Sequence, residues 1–226
     1  MRVLGLDTAT WRASVGLVAD GRLVAEKPQL TDGSHAVSLL PLIDEVLRKA
    51  GSTLDALDAI AVSGGPGSFT GLRVGLSVAK GLTRATGARL VTVPTLAALA
   101  RTVVDHYGVI WSLLDARKGE IYAACFESSP DGCRRLTPDA LLTVEALMTT
   151  LPTPSVVLGD AVNAYGDVLR SRLGDAVAVL PFDTHGPRGG VVALMGAEAI
   201  LAGESSDLRS VEPFYVRAPE AERKFA

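Results

Sequence analysis

The sequence contains few of the residues that usually hold metals or cross-link chains. Its 226 residues include two cysteines and three histidines. Cys125 and Cys133 have no spacing typical of a metal site, and we interpret both as reduced thiols. A disulfide framework is therefore not expected, and the low cysteine content favours a protein of the cytoplasm.

The chain also lacks an excess of positive charge and long apolar runs. Its formal net charge is −3 and its pI is about 5.6. Proteins that bind nucleic acid alone need clustered Lys and Arg against the phosphates, so this composition favours a chain that reaches RNA only within a complex. No apolar run approaches the length of a membrane span, and the first residues lack the pattern of a secretory signal. We expect no membrane partner.

Glycine, by contrast, is abundant and is concentrated in one block. Residues 63–75 read SGGPGSFTGLRVG and connect an apolar strand pattern at 59–62 to a helical pattern at 72–86. Gly71, Gly75 and Ala79 recur every fourth residue there, and a glycine inside a helix costs about 1 kcal/mol relative to alanine. Two interpretations remain open: the bare face packs on the chain's own sheet, or it docks a helix of a partner.

The order of predicted elements occurs twice along the chain. The repeated order begins near residue 2 and again near residue 109. It consists of a strand ending in an aspartate, a turn, two more strands, a helix, a strand and a second helix. The two aspartates are Asp7 and Asp115. This duplication predicts an α/β protein with two similar halves, residues 1–106 and 107–226, each with a mixed sheet and flanking helices. A last helix at 191–201 is expected to pack back on the body.

Several blocks of the sequence resemble known proteins. The duplicated order, with Asp-Thr-Ala-Thr at residues 7–10, resembles the actin-like ATPase superfamily, whose fold is ribonuclease H-like. More narrowly, the chain resembles the bacterial TsaB (YeaZ) family. The blocks that carry this resemblance follow the family's order over nearly the whole chain and lie at residues 6–10, 34–43, 64–75, 115–122 and 213–217.

The resemblance implies a role in making threonylcarbamoyladenosine, the modified adenosine beside the anticodon of tRNAs that read codons starting with A. In that pathway TsaB is a non-catalytic paralogue and obligatory partner of the transferase TsaD, and the small ATPase TsaE joins the pair. We therefore expect a scaffold subunit that binds TsaD, forms a homodimer when alone and meets tRNA only through the complex.

The helices at about 38–50 and 69–86 are the expected partner-binding elements, since in the family they form a helical bundle with the matching helices of TsaD. Apolar residues cover more than one stripe of the first helix, so some are expected to point outward. The predicted interface comprises His35, Leu39, Leu42, Val46, Phe69, Gly71, Leu72, Gly75, Leu76 and Ala79. Gly75→Trp or Leu42→Asp is expected to leave a folded monomer that no longer joins TsaD.

The residues also argue against catalysis. Metal-binding relatives use two histidines four residues apart on one helix face, but His35 has no second histidine near it in the sequence, so no metal is expected. Asp7, Thr8 and Thr10 are expected to form a weak or vestigial nucleotide site. Weak ATP or ADP binding is the extent of cofactor binding that we expect, and no catalytic residue is assigned.

Two alternatives are enzymes. A small-molecule kinase of the actin-like fold needs tight ATP binding, yet the second half has a single glycine, Gly159, where that fold places a glycine-rich adenosine turn. Its second acid, Asp115, precedes Arg117 and Lys118, which can pair with it instead. A glycoprotease needs the paired histidines. The sequence therefore favours the scaffold over both enzymes.

Overall fold

A computed structural model of the chain describes residues 1–30, 35–103, 106, 108–130, 132–186 and 188–217, with the side chains of residues 35 and 36 excepted. These residues divide into two units. The first unit is Met1–Ala98 with Pro187–Phe214, and the second is Leu99–Gly186 with the described residues 215–217.

Strands and helices alternate along the described chain. The strands are β1 Arg2–Asp7, β2 Arg12–Ala19, β3 Arg22–Leu30, β4 Ala59–Gly65, β5 Arg89–Pro94, β6 Gly108–Arg117, β7 Glu120–Ser129, β8 Gly132–Arg135, β9 Ala140–Thr143, β10 Ser155–Leu158 and β11 Val177–Val179. The helices are α1 His35–Lys49, α2 Phe69–Thr86, α3 Thr95–Ala100, α4 Val144–Thr150, α5 Ala161–Leu173, α6 Phe182–His185 and α7 Gly189–Leu201.

The first unit is built on a five-stranded sheet with the order β3-β2-β1-β4-β5. Strand β1 pairs antiparallel with β2 and parallel with β4. Helices α1 and α2 pack on one face of this sheet, and α7 packs on the other. Because both faces are covered, the central strands are apolar without alternation, as is usual for doubly covered sheets.

Helix α7 lies directly on the sheet because glycines leave room for the close approach. A Cβ on Gly5 would lie 2.0 Å from the carbonyl oxygen of Gly189. The N–H groups of Gly189 and Gly190 donate to Ser14 Oγ and Glu26 Oε1, at 2.9 and 2.7 Å. Helix α7 thus completes the first unit, so the predicted division into 1–106 and 107–226 differs from the structure at its C-terminal end.

The second unit repeats the arrangement of the first. Its sheet has the order β11-β10-β6-β7-β8, with β9 also paired to β7. Strand β6 pairs antiparallel with β7 and parallel with β10, as β1 does with β2 and β4. Helices α4, α5 and α6 contribute buried side chains to the hydrophobic core of this unit. The matching strand orders confirm the predicted duplication and the α/β class.

Candidate functional site

The glycine-rich turn between β4 and α2 packs against the chain's own backbone. A Cβ on Gly65, whose φ is +122°, would lie 2.2 Å from the carbonyl oxygen of Phe214, and one on Gly67 would lie 2.5 Å from that of Ala9. The Ser68 N–H donates to the same Ala9 carbonyl at 2.7 Å. These glycines are required because two other segments of the chain lie where side chains would be.

The glycines inside α2 face the first turn of the chain. A Cβ on Gly71 would lie 2.0 Å from the Thr8 carbonyl oxygen, and one on Gly75 would lie 2.2 Å from Thr8 Oγ1. Thr8 Oγ1 also donates to the Gly71 carbonyl at 2.7 Å. Of the two interpretations of this bare helix face, the structure supports close packing within the chain. This packing argues against the expectation that Gly75→Trp leaves a folded monomer.

Most of the apolar side chains predicted to meet a partner point into the core of the first unit instead. They are between 0 and 5 % exposed and are Leu39, Leu42, Val46, Leu72, Leu76 and Ala79. Helix α1 packs on β2, β3 and α2 together, so it buries more than one apolar stripe inside its own unit. The prediction that Leu39, Leu42 and Val46 point outward is wrong for this reason. The predicted His35 side chain lies outside the described residues.

Other apolar side chains of α1 and α2 do face outward. Val37 and Leu40 on α1 are 78 and 53 % exposed, and Phe69 on α2 is 42 % exposed. The Arg73 guanidinium lies 4.0 Å from the centre of the Phe69 ring, which is within the range of a cation–π contact. We call these four residues the outer helix face.

Two grooves lie along these helices. The first, of 360 Å³, is lined by Phe69, Thr70, Arg73, Val74, Ser77 and Val78 of α2. The second, of 470 Å³, is lined by Leu40, Ile43, Asp44, Leu47, Arg48, Ser52, Thr53, Leu54 and Leu82. Both linings mix apolar side chains with polar and charged ones, a composition found at protein interfaces. Of the predicted interface side chains on α1 and α2 that the structure describes, Phe69 is exposed and the other apolar ones face inward.

The acid at the end of β1 is fully buried. Asp7 is 1 % exposed, and its Oδ1 accepts the Ala9 N–H at 3.0 Å. Asp7 Oδ2 and Ser63 Oγ are both buried, and among the described residues neither has a partner that meets hydrogen-bond geometry, although the Ser63 hydroxyl is near enough to favour the charged form of Asp7. Burial disfavours the charged form and raises the pKa of Asp7 from its ordinary value of 3.8 to about 6, against the opposing effects of the Ala9 amide and the Ser63 hydroxyl.

This burial predicts the effect of Asp7→Asn on stability. The folded state binds the Asp7 proton more tightly than the unfolded state, so the free energy of unfolding falls as pH rises from about 4 to above 6. Asn cannot ionise, and its amide can donate towards Ser63. We expect Asp7→Asn to raise the free energy of unfolding at pH 7.5 by about 1–3 kcal/mol.

Urea denaturation of both proteins at pH 5 and at pH 7.5 tests this expectation. The advantage of the variant should shrink at pH 5, where Asp7 is protonated in the folded protein. An equal difference at the two pH values would show that ionisation of Asp7 does not determine stability.

The other two residues of the predicted nucleotide site make internal hydrogen bonds. Thr8 is bound to Gly71, and Thr10 Oγ1 lies 3.2 Å from both the backbone N–H and the carbonyl oxygen of Arg12. The structure thus brings Asp7, Thr8 and Thr10 together at one turn. The hydroxyls of both threonines bind the protein's own backbone, so nucleotide binding there stays a prediction.

The corresponding edge of the second unit carries ion pairs. Arg117 Nη1 lies 3.2 Å from Asp115 Oδ2, as the sequence allows. Asp160 Oδ1 accepts the Asp115 N–H at 2.8 Å, and burial together with the Asp115 charge raises the pKa of Asp160 to about 6. Glu120 pairs with Arg217. Asp160 and the Glu120–Arg217 pair were not predictable from the sequence, because the partners are distant along the chain.

The described part of the chain shows neither a cluster of metal-ligating side chains nor a membrane-spanning helix. No group of three or more His, Cys, Asp or Glu side chains in these ranges is placed to hold a metal ion. Among the same residues, no helix combines the length and the apolar character needed to span a bilayer.

The two similar sheets, each with an acid at or near the end of its first strand, place the protein in the actin-like ATPase fold class. Component A of (R)-2-hydroxyglutaryl-CoA dehydratase from Acidaminococcus fermentans superposes with a TM-score of 0.55 at 11 % identity, over 89 % of this chain and 99 % of that one. EutJ from Carboxydothermus hydrogenoformans superposes with a TM-score of 0.51 at 14 % identity, over 87 % of this chain and 88 % of that one. At these identities the likeness concerns the fold alone.

The sequence comparisons are more specific. The family model of TsaD, tRNA N6-adenosine threonylcarbamoyltransferase, matches residues 26–225. The tRNA threonylcarbamoyladenosine biosynthesis protein TsaB is 30 % identical in Escherichia coli, over 99 % of this chain and 98 % of that protein. The Bacillus subtilis TsaB is 26 % identical, over 100 and 98 %. YeaZ from Pseudomonas aeruginosa superposes with a TM-score of 0.80 at 28 % identity, over 95 and 99 %.

This chain belongs to the TsaB (YeaZ) family, as the sequence blocks predicted. Its role therefore lies in the biosynthesis of threonylcarbamoyladenosine in tRNA.

Proposed function

We propose that this chain is a non-catalytic scaffold subunit. It binds the transferase TsaD through the outer helix face and its two grooves, in the complex that transfers threonylcarbamoyl to the adenosine beside the anticodon. The observation that carries the proposal is the exposure of Val37 and Leu40, 78 and 53 %, on one helix of the first unit. Exposed apolar groups beside grooves are typical of sites that pack against another protein.

The kinship of the two subunits supports this choice of partner. A transferase model describes residues 26–225, a range that includes α1 and α2. The tRNA N6-adenosine threonylcarbamoyltransferase of Solidesulfovibrio magneticus is 38 % identical to this chain over 120 residues, which are 46 % of this chain and 32 % of that protein. A partner with an equivalent pair of helices offers a face of matching shape, and the same reasoning predicts that the free chain pairs with a second copy.

Three further properties belong to the proposal. TsaE joins the pair, and the complex works in the cytoplasm. The chain itself holds no cofactor tightly, because the hydroxyls of Thr8 and Thr10 are bound to the protein's own backbone. The alternative, a small-molecule kinase of the same fold, requires that this turn open to receive a magnesium-bound nucleotide.

Co-purification tests the scaffold proposal directly. Tagged chain mixed with purified TsaD should elute as one species on size exclusion, and the mixture should modify tRNA when the threonylcarbamoyl donor is supplied, whereas the chain alone should not. Titration calorimetry of the chain with ATP and Mg²⁺ distinguishes the kinase alternative from the scaffold proposal. Tight binding with phosphate transfer to a small molecule would contradict the scaffold proposal. Separate elution of the two subunits would also contradict it.

A further inference from the structure

Helix α2 carries ionisable side chains of one sign only. Its 18 residues include Arg73, Lys80 and Arg84 and no Asp or Glu. These cations are seven and four residues apart, a spacing that places them along one side of a helix. A protein whose net charge is −3 thus lines one of its grooves with a helix that has no acidic residue.

The far end of this line of cations is open to solvent. Arg84 is exposed, and no carboxylate of the described residues forms an ion pair with it. Lys80 is half-buried and lies near the charge of Asp207, a carboxylate that also accepts the Ser210 hydroxyl at 2.6 Å. Arg84 is therefore a positive charge that the described part of the chain leaves without a contacting counter-ion.

Helix α1, beside α2, does not reverse the sign. Its Glu45 is shared by two lysines, because it forms ion pairs with both Lys27 and Lys49. Asp44 and Arg48 line the 470 Å³ groove together and are opposite in charge. Among the described residues, the outward side of α1 and α2 thus has more positive than negative side chains.

We propose that the outward side of α1 and α2 accepts a partner surface of net negative charge and discriminates against a second copy of this chain. The inference rests on the proposed function, because it assigns a charge to the TsaD surface that meets these helices. In a symmetric pair of copies the same surface meets itself, so like charges approach each other. Opposite charges favour a partner and like charges disfavour one, so charge decides between two partners of matching shape.

Reversing the charge of Arg84 tests this inference. Arg84→Glu changes the sign at an exposed position, and Arg84→Lys keeps the sign. Arg84 lies in the last turn of α2, where a cation also interacts favourably with the helix dipole. Arg172→Glu is the matched control, because Arg172 is exposed in the last turn of α5 and its reversal changes the net charge and the dipole interaction equally.

Two dissociation constants are measured for each protein at about 0.05 and 0.5 M NaCl, concentrations between which screening increases strongly. Titration calorimetry gives the Kd for purified TsaD, and sedimentation equilibrium gives the Kd for self-association. For the wild-type chain, added salt should weaken the pair with TsaD and strengthen the pair of copies, since salt screens attraction and repulsion alike.

We expect Arg84→Glu to raise the Kd for TsaD by about 3- to 30-fold at low salt and to lower the Kd for self-association by a similar factor. Both effects should shrink at high salt, and Arg84→Lys and Arg172→Glu should change neither constant. Opposite signs are the decisive result, because a disturbed helix would weaken both pairs. Weakening of both pairs, or unchanged constants for both, would overturn the inference.

A failure of the proposed function gives a different result. In that case the wild-type chain and TsaD elute separately at both salt concentrations. Self-association of the chain alone then still tests the charge of this surface, since Arg84→Glu should tighten the pair of copies at low salt. An equal or weaker pair in the variant would overturn the inference on its own.

Discussion

Replacing Gly75 by tryptophan is expected to unfold the first unit rather than to release a partner. Even the first added atom, a Cβ, would lie 2.2 Å from Thr8 Oγ1 and 3.4 Å from Val62 Cγ2. Neither neighbour can move freely, since Thr8 is bound to the Gly71 carbonyl and Val62 lies inside β4. A tryptophan has no route to solvent from this position, so we expect no soluble folded protein.

The milder variant Gly75→Ala makes the effect measurable. Alanine gains about 1 kcal/mol over glycine in helix propensity. Overpacking of a buried site costs about 1–3 kcal/mol, and here the added Cβ meets a side chain that is held in place. We expect a net loss in the free energy of unfolding of up to about 2 kcal/mol. Urea denaturation, followed by the circular dichroism signal of the helices, measures this change in the free energy of unfolding.

Gly81 supplies a matched control on the same helix. It is exposed, and a Cβ there would have no described atom within 4 Å. Gly81→Ala should therefore raise the free energy of unfolding by about 0.5–1 kcal/mol, the gain in helix propensity alone. If Gly75→Ala were as stable as Gly81→Ala, the packing of α2 on the first turn would not be what requires glycine at position 75.

The second large effect is expected at Leu40. Leu40→Glu places a charge in the 470 Å³ groove of the outer helix face, where the side chain is 53 % exposed in the free chain. Burying that charge against a partner without a counter-ion costs several kcal/mol, so we expect the affinity for TsaD to fall by about 30-fold or more. Glutamate is a good helix former, so the folded chain should keep its stability.

Size exclusion and calorimetry of the mixed subunits measure this loss. Leu201→Glu, at the exposed last residue of α7, should leave binding unchanged. The Leu42→Asp variant named in the sequence analysis is unsuitable, because Leu42 is 1 % exposed and a buried charge there is expected to destabilise the fold itself. Unimpaired co-elution of Leu40→Glu with TsaD, at normal stability, would remove α1 from the proposed interface.

The fold was accessible from sequence because its signals are local and repeated. Strand β1 and strand β6 are apolar runs that contain an aspartate at or near the end, and each is followed by a hairpin, so the duplication could be recognised with little residue identity. Glycine spacing also marked α2 as a helix with a close neighbour.

The direction in which each helix faces was not accessible in the same way. The four-residue spacing of Gly71 and Gly75 is equally consistent with a sheet or with a partner, since both require a bare helix face. The structure assigns this face to Thr8, a residue more than sixty positions earlier. Similarly, the wide apolar surface of α1 is buried by β2, β3 and α2, which only the tertiary arrangement brings around it.

The sequence by itself determined the α/β class, the two similar units and the family, because periodicity, turn residues and motif order are properties of neighbouring residues. The tertiary structure decided that α7 returns to the first unit, that Asp7 is buried and that Val37 and Leu40 rather than Leu39 and Leu42 face outward. Burial depends on contacts between segments distant along the chain, and these contacts arise only when the sheet and its helices have packed.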